Sequence, residues 1–194
     1  MAVTNLLVTN GVSPKHVTVI GVGSSAGAYA AVKNGLVDAI ANLDPVMSKL
    51  EADGAIVVVV DTRTSKGMSE IYGGEYHAGS IYTQPAWVKK HPNTAQAVVS
   101  AVVRALLWVR SASVDDIVAA VPRDFYGSEP AIYKIGLQKN REGFSPDGLF
   151  TMQAARNVYK VLRQFLPEVQ KASIDLTQTF DNRFVEAALK KYNQ

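Results

Sequence analysis

The sequence predicts an α/β fold, and three observations support this prediction. Short β-branched runs alternate with helix-like segments through residues 17–61, a single helix joins each run to the next, and turn residues separate them. The predicted strands are residues 17–20, 37–43 and 56–61. Strands that alternate with helices of this length imply parallel pairing with right-handed crossovers. The turns that begin the two helices then lie at the carboxyl ends of strands, where open α/β sheets bind ligands.

Composition narrows the class of protein. A chain of 194 residues fits one ordinary domain or two small lobes, and 47% hydrophobic residues are too many for a disordered protein. The net charge is +3 with scattered basic residues, which argues against a nucleic-acid-binding patch. There is no cysteine, so disulfides, thiolate catalysis and cysteine metal sites are excluded.

Periodicity divides the chain into an α/β part, a crossing segment and a helical part. Residues 65–75 have little periodicity and are predicted to cross between the parts, and residues 77–83 are predicted to form one more strand. From Pro85 onward the pattern is helical. The predicted helices are residues 2–10, 26–33, 45–50, 94–110, 113–122, 150–166 and 181–192.

The segment from Gly21 to Ala26 fits the G-x-G-x-x-A pattern of dinucleotide-binding turns. Such a site also needs an acidic residue at the end of the next strand, where it holds the ribose. The nearest acidic residue is Asp38, which lies at the start of that predicted strand. The sequence therefore disfavours nucleotide binding.

The same turn fits the G-x-S-x-G pattern of a nucleophile elbow, with Ser25 in the nucleophile position. Asp61 followed by His77 or His91 has the chain order of a catalytic triad. Too few strands precede the turn to build the sheet of a hydrolase, so esterase chemistry is disfavoured. The histidines also lack the spacing of a metal site, and we expect no metal and no catalytic residue.

The Gly-Ser turn has two compatible interpretations. It is a simple helix cap, or it is also an anion-binding end in which free backbone N–H groups act with the hydroxyls of Ser24 and Ser25. The predicted position at the carboxyl end of a strand favours the second interpretation.

Four segments together indicate a family. They are Asn-Gly-Val-Ser-Pro-Lys-His-Val at residues 10–17, Gly-Ser-Ser-Ala-Gly-Ala at 23–28, Asn-Gly-Leu-Val-Asp-Ala at 34–39 and Asp-Pro at 44–45. In this order and spacing the chain resembles one lobe of the solute-binding proteins of ABC importers, specifically the nitrate/sulfonate/taurine-type and thiamine-precursor-type binders. Residues 82–92 and 180–184 fit the same family, so the resemblance covers essentially the whole chain.

The resemblance implies a periplasmic-binding-protein-like fold of type II with two lobes. Residues 1–62 correspond to an incomplete second lobe, residues 63–76 to a hinge or crossing segment, and residues 77–194 to the mostly helical C-terminal part of the first lobe. Family members begin with an export signal and the first units of the first lobe, which this chain does not show. The full-length protein is therefore expected in the periplasm, although a signal peptide is absent from this chain.

The resemblance also implies a function. A small anionic or zwitterionic solute, such as a sulfonate or nitrate, would bind between the lobes, and the closed protein would meet the membrane permease of an importer. No cofactor is implied. The Asp44 carboxylate would meet an amine of the solute or would only cap a helix. The implied ligand-binding residues are Gly23, Ser24, Ser25, Ala26, Asn42, Asp44, Tyr82 and Thr83.

Two rival functions stay open at this point. One is an enzyme on the same fold, like proteins of pyrimidine synthesis or the menaquinone pathway, although the former carry a cysteine-rich motif that this chain lacks. The other is a sensory ligand-binding domain. Parallel strands with open edges also predict that this chain is either marginally stable by itself or associates with itself.

Overall fold

The computed structural model describes residues 2–126 and 129–192. Helices dominate this part of the chain, and most begin or end within two residues of their predicted bounds. In chain order they are α1 Ala2–Thr9, α2 Ala26–Lys33, α3 Val46–Ala52, α4 Ser65–Tyr72, α5 Pro85–Lys90, α6 Pro92–Ser111, α7 Val114–Ala120, α8 Pro130–Asn140, α9 Met152–Phe165, α10 Pro167–Lys171 and α11 Arg183–Tyr192.

The predicted strands are a correction. Within residues 2–126 and 129–192 no segment is a β-strand, and residues 17–20, 37–43, 56–61 and 77–83 are non-helical instead. A strand requires a ladder of backbone hydrogen bonds to a neighbour. No backbone hydrogen bond joins any two of the three segments before α4 in the described structure, so the α/β prediction and its parallel pairing are not met there.

Side chains hold these segments in place of a ladder. Each of the three segments, or the residue close to its end, places one apolar side chain against a core. These side chains are Val22, Ile40 and Ile56. The fully buried members of that core are Ala28 of α2 and Leu50 of α3. The β-branched runs therefore supply apolar anchors to a helical core, which is why their sequence pattern resembles that of strands.

The described chain divides into two compact units, each with its own core. Of the described residues, unit 1 comprises 2–71, 114–126 and 129–143, and unit 2 comprises 72–113 and 144–192. In unit 2, α6 packs along α11 around Val103, Val185 and Ala188. The lobe boundaries at residues 62, 63–76 and 77 and the two-lobe arrangement stay predictions.

The predicted crossing segment contains a helix, and its role as a crossing stays a prediction. Residues 65–72 form α4 rather than an irregular connection. The Thr64 hydroxyl accepts a hydrogen bond of 3.0 Å from the backbone N–H of Gly67, which satisfies one of the free N–H groups of the first turn. Ile71 is buried on this helix, so one apolar face and one cap produce a helix that weak periodicity did not indicate.

Candidate functional site

The turn before α2 brings four of the predicted site residues together. Gly23 has a φ of +73°, in the left-handed region that glycine adopts without steric cost. Ser25 is the extended N-cap of α2, and its side chain makes no capping hydrogen bond. Ser24, Ser25 and Ala26 are exposed. The first N–H groups of a helix have no acceptor within the helix, so this end can donate to an anion.

Asn42 joins this turn to the next one. Its side-chain Nδ2 donates a hydrogen bond of 2.8 Å to the carbonyl oxygen of Gly23. Its Oδ1 accepts a hydrogen bond of 2.8 Å from the backbone N–H of Leu43. One side-chain amide therefore fixes the start of α2 relative to the segment that leads into α3.

Asp44 points into a polar cluster of unit 1. Its Oδ1 accepts hydrogen bonds from the backbone N–H of Ser48 at 2.9 Å and from the Ser48 hydroxyl at 2.6 Å. Its Oδ2 accepts from Asn140 of α8 and from Arg63, whose NH1 lies 3.3 Å away. Both oxygens thus have protein donors. By accepting from the Ser48 backbone N–H, Asp44 caps the start of α3, as one of the two sequence interpretations predicted. Contact between Asp44 and an amine of the solute stays a prediction.

Arg63 is the centre of that cluster and contacts three carboxylates. Its Nε and NH2 bind the Asp61 carboxylate at 2.7 and 2.8 Å, and NH2 lies 3.2 Å from Glu51. Lys139 of α8 lies 2.7 Å from the same Glu51 carboxylate. The Arg63 side chain is only 12% exposed, and Asp44 is 14% exposed. Such partly buried charges are stable only when paired and hydrogen-bonded.

The pKa values of the cluster follow from these contacts. Burial by itself would raise the pKa of Asp44, but hydrogen bonds from Ser48 and the nearby Arg63 outweigh it and lower that pKa below its usual value. The hydrogen bond from Arg63 is the main reason why the pKa of Asp61 is also lowered. The pKa of Arg63 is raised, first by Asp61 and then, against the cost of burial, by Asp44. All three groups are therefore charged at neutral pH.

The last two predicted site residues belong to unit 2. Tyr82 is 94% exposed, and Thr83 beside it is exposed as well. Both lie just before α5, in the non-helical segment that was predicted as a strand. Six of the eight predicted residues thus lie in unit 1, where Asn42 binds the turn and Asp44 binds the Arg63 cluster, and the role of Tyr82 and Thr83 stays a prediction.

Sequence reasoning did not identify Arg63, Lys139 or Asn140 as part of this region. The sequence pattern places Arg63 only in a predicted crossing segment. Its signal is the Asp61-Thr62-Arg63 spacing, in which the arginine binds the aspartate two residues earlier. No local pattern indicates the α8 residues, because Asn140 reaches Asp44 across 96 positions of sequence.

Unit 2 has a surface hollow of about 310 Å³ that no predicted residue lines. Its walls carry two cations, Lys89 and Arg183, beside apolar side chains. Arg183 is bound by the Asp181 carboxylate through Nε at 2.9 Å and through NH2 at 2.6 Å, which offsets part of this positive charge. The lining residues are Val88, Lys89, Pro92, Gln96, Arg183 and Phe184.

Among residues 2–126 and 129–192, no group of three or more histidine, aspartate or glutamate side chains is arranged to hold a metal ion. None of the helices in the same ranges combines the length and the apolar character that a membrane crossing requires.

Comparison with known proteins places the chain in a family. A sequence profile described as NMT1/THI5 like matches residues 1–112, more than half of the chain. A solved structure of a protein from Bordetella bronchiseptica RB50 is 41% identical in sequence, with a TM-score of 0.88 over 100% of this chain. The chain spans 61% of the length of that relative. No curated protein matches the chain.

These findings agree with the coarser part of the sequence interpretation. The profile match is consistent with proteins like the nitrate-, sulfonate- and taurine-type binders, and the helix-rich chain is compatible with a periplasmic-binding-protein-like fold. The matched residues include the Gly-Ser turn, Asn42, Asp44 and Arg63. The chain therefore belongs to the NMT1/THI5-like family, which has a solute-binding-like fold.

Proposed function

We propose that this chain is part of the solute-binding component of an ABC importer, that it works in the periplasm and that it delivers its solute to a membrane permease. The solute is a small anion or zwitterion, such as a sulfonate, nitrate or a related compound. The observation that carries the proposal is the N-terminus of α2, where Ser24 and Ser25 are exposed in a chain of this family.

The chemistry of that helix end suits an anionic head group. The helix dipole and the free first-turn N–H groups favour negative charge there, and the first turn of α2 contains no acidic residue that would repel an anion. The hydroxyls of Ser24 and Ser25 add two hydrogen-bond donors. An anion therefore binds without needing a buried cation.

Asn42 gives this end its shape. By donating to the Gly23 carbonyl it ties down the residue that precedes Ser24. A site that is held rigid before the solute arrives loses less conformational entropy on binding. This supports including Asn42 in the site as a residue that orders the turn.

Calorimetric titration tests the binding step. The chain is titrated with taurine, methanesulfonate, nitrate and pyrimidine precursors, and one of the anionic or zwitterionic solutes is expected to bind. Replacing Ser24 and Ser25 together by alanine should weaken that affinity by about tenfold through the loss of hydroxyl donors. Replacing both by leucine should abolish binding by covering the helix end.

The matched control is Ser69→Ala, which removes an exposed hydroxyl from α4 of the same unit. Unchanged affinity in both double variants would place the solute elsewhere. Proton NMR of the solute during incubation separates binding from catalysis, because an enzyme on this fold would convert the solute and a binding protein leaves it intact.

Uptake tests the transport step. A strain without the gene should lose uptake of the solute that calorimetry identifies, and the wild-type gene should restore it. The double leucine variant should not restore uptake. Normal uptake in the deletion strain, together with altered gene expression on adding the solute, would favour a sensory role instead.

A further inference from the structure

We infer that Arg63 is a positioning residue for the solute site: it fixes Asp44 and, through the segment that carries Asn42, it holds the turn at Gly23 in its binding geometry. The inference rests on the proposed function for its role in binding. The positioning itself is a property of this chain and is measurable without any solute.

Arg63 balances the negative charge of the cluster. Three carboxylates surround Arg63, and Lys139 is the second cation. Without the guanidinium, the three carboxylates would lose the cation that contacts all of them, while Lys139 would still bind Glu51. Like charges at such distances repel, so Asp44 would move away from Asp61 or bind a proton.

Residues 42–44 connect Asp44 to the turn at Gly23. Residues 42–44 precede α3 and take part in no backbone ladder in the described structure. Two side chains anchor them: Asn42 reaches back to Gly23, and Asp44 reaches forward to Ser48 and Arg63. Since only two peptide units separate these anchors, a displacement of Asp44 changes the position from which Asn42 donates.

Asp181 and Arg183 form a second arginine–aspartate pair of the same spacing in unit 2. Arg183 binds Asp181 much as Arg63 binds Asp61, with a backbone hydrogen bond of 3.1 Å to Oδ1 beside three side-chain bonds. The Arg183 side chain, however, is 79% exposed. The Arg183→Gln substitution therefore removes an equivalent arginine–aspartate pair and serves as the matched control.

Helix α8 also contributes to the Arg63 cluster. Asn140 donates to Asp44, and Lys139 binds Glu51, so two consecutive residues of α8 contact the same cluster. Asn140→Ala removes one donor to Asp44 and keeps the Arg63 contacts. This gives a milder variant for the case in which Arg63→Gln does not fold.

The first measurement uses no solute. In ¹H–¹⁵N NMR spectra, the Asn42 side-chain amide and the backbone amides of residues 23–26 report the geometry of the turn. Arg63→Gln should move the Asn42 side-chain resonances toward those of solvent-exposed amides, Arg63→Lys and Asn140→Ala should move them part of the way, and Arg183→Gln should leave them in place. If Arg63→Gln folds and its Asn42 resonances are unchanged, the inference is overturned. If Arg63→Gln does not fold, unchanged Asn42 resonances in both Arg63→Lys and Asn140→Ala overturn it.

The second measurement is calorimetric titration with taurine and with nitrate. Arg63→Gln should weaken binding by about tenfold, and Arg183→Gln by less than about twofold. If neither anion binds the wild-type chain, the proposed function loses its support while the NMR result still decides the positioning. If an anion binds and Arg63→Gln moves the Asn42 resonances without changing affinity, the role of Arg63 in the site is refuted.

Discussion

The side chain of Asn42 and the backbone of Gly23 are joined by a hydrogen bond of 2.8 Å. The bond connects two turns that lie 19 residues apart in sequence and that no backbone hydrogen bond joins in the described structure. A single amide therefore defines the distance between the N-terminus of α2 and the start of α3. We therefore expect solute binding at the proposed site and local stability to be coupled through this contact.

The first prediction tests that coupling. Asn42→Ala should lower the free energy of unfolding by about 1 kcal/mol, the usual value of one net hydrogen bond, and should weaken solute binding as well. Chemical denaturation and calorimetric titration measure the two effects. The matched control is Asn10→Ala, since Asn10 Nδ2 also donates to a backbone carbonyl, that of Leu6, at 2.8 Å. Equal losses of affinity in both variants would show that the Asn42 contact is only structural.

The second prediction concerns pH. The pKa values of Asp44 and Asp61 are lowered in the folded chain. In acid the unfolded chain therefore binds more protons than the folded chain. The free energy of unfolding should rise with pH from the lowered pKa values up to about pH 5, and it should fall again when the solution is acidified. Denaturation curves between pH 3 and 7 measure this dependence.

Arg63→Gln should reduce that pH dependence, because the main contact that lowers the pKa of Asp61 and part of what lowers the pKa of Asp44 disappear, while Ser48 still donates to Asp44. Arg183→Gln should change it little, since an exposed pair contributes little. A wild-type slope in the Arg63 variant would mean that other carboxylates determine acid stability.

The third prediction concerns the close contact of α8 with Asp44. A Cβ atom on Gly136 would lie 3.1 Å from both Cβ and Cγ of Asp44 and 3.4 Å from the Ser48 hydroxyl. Asp44 cannot easily move aside, because Arg63 and Ser48 hold it. Gly136→Ala should therefore destabilise unit 1 by about 1–3 kcal/mol, although alanine favours a helix.

Gly27→Ala is the matched control for this substitution. It also lies in a helix of unit 1, and its new Cβ would meet only the carbonyl of Val22 at an ordinary 3.6 Å. Thermal unfolding should show a higher melting temperature for Gly27→Ala and a lower one for Gly136→Ala. An increase in both variants would mean that the contact between α8 and Asp44 relaxes freely.

The sequence predicted the helices well and the sheet not at all in the described chain. Helix α2 begins and ends where the small residues after Ser25 and the Asn34-Gly35 stop predict, since both signals are local. Strands differ because a ladder depends on a partner from elsewhere in the chain. The β-branched runs do supply apolar contacts, since Ile56 packs against the core, but a run of this kind cannot supply the partner strand.

The candidate site follows the same rule. The Gly-Ser turn was identifiable because glycine and serine at a helix start have a local physical meaning. Arg63 was not, because its meaning depends on Asp44, which is 19 positions away, and on Glu51, which is 12 positions away. Charge pairs of this separation leave no periodic signal in the sequence.

The last prediction concerns self-association. Val57 is 89% exposed and Val59 is 85% exposed, and they flank the half-buried Val58 in an apolar β-branched run. In the described structure the backbone of residues 56–60 makes no backbone hydrogen bond. Open apolar backbone of this kind pairs with other chains, so we expect the chain to associate through residues 56–60 of two copies.

Light scattering over a range of concentrations measures the association. Val57→Lys with Val59→Lys should shift the chain toward monomer, because two lysines repel in each pairing and leave the core contact of Ile56 intact. The matched control places lysine at Val98 and Val102, which are 44% and 39% exposed on α6. That helix satisfies its own backbone groups, so its variants should associate like the wild-type chain. If both double lysine variants lose association equally, the association comes from apolar exposure in general and not from residues 56–60. A wild-type chain that stays monomeric at high concentration would refute the pairing of two copies through residues 56–60.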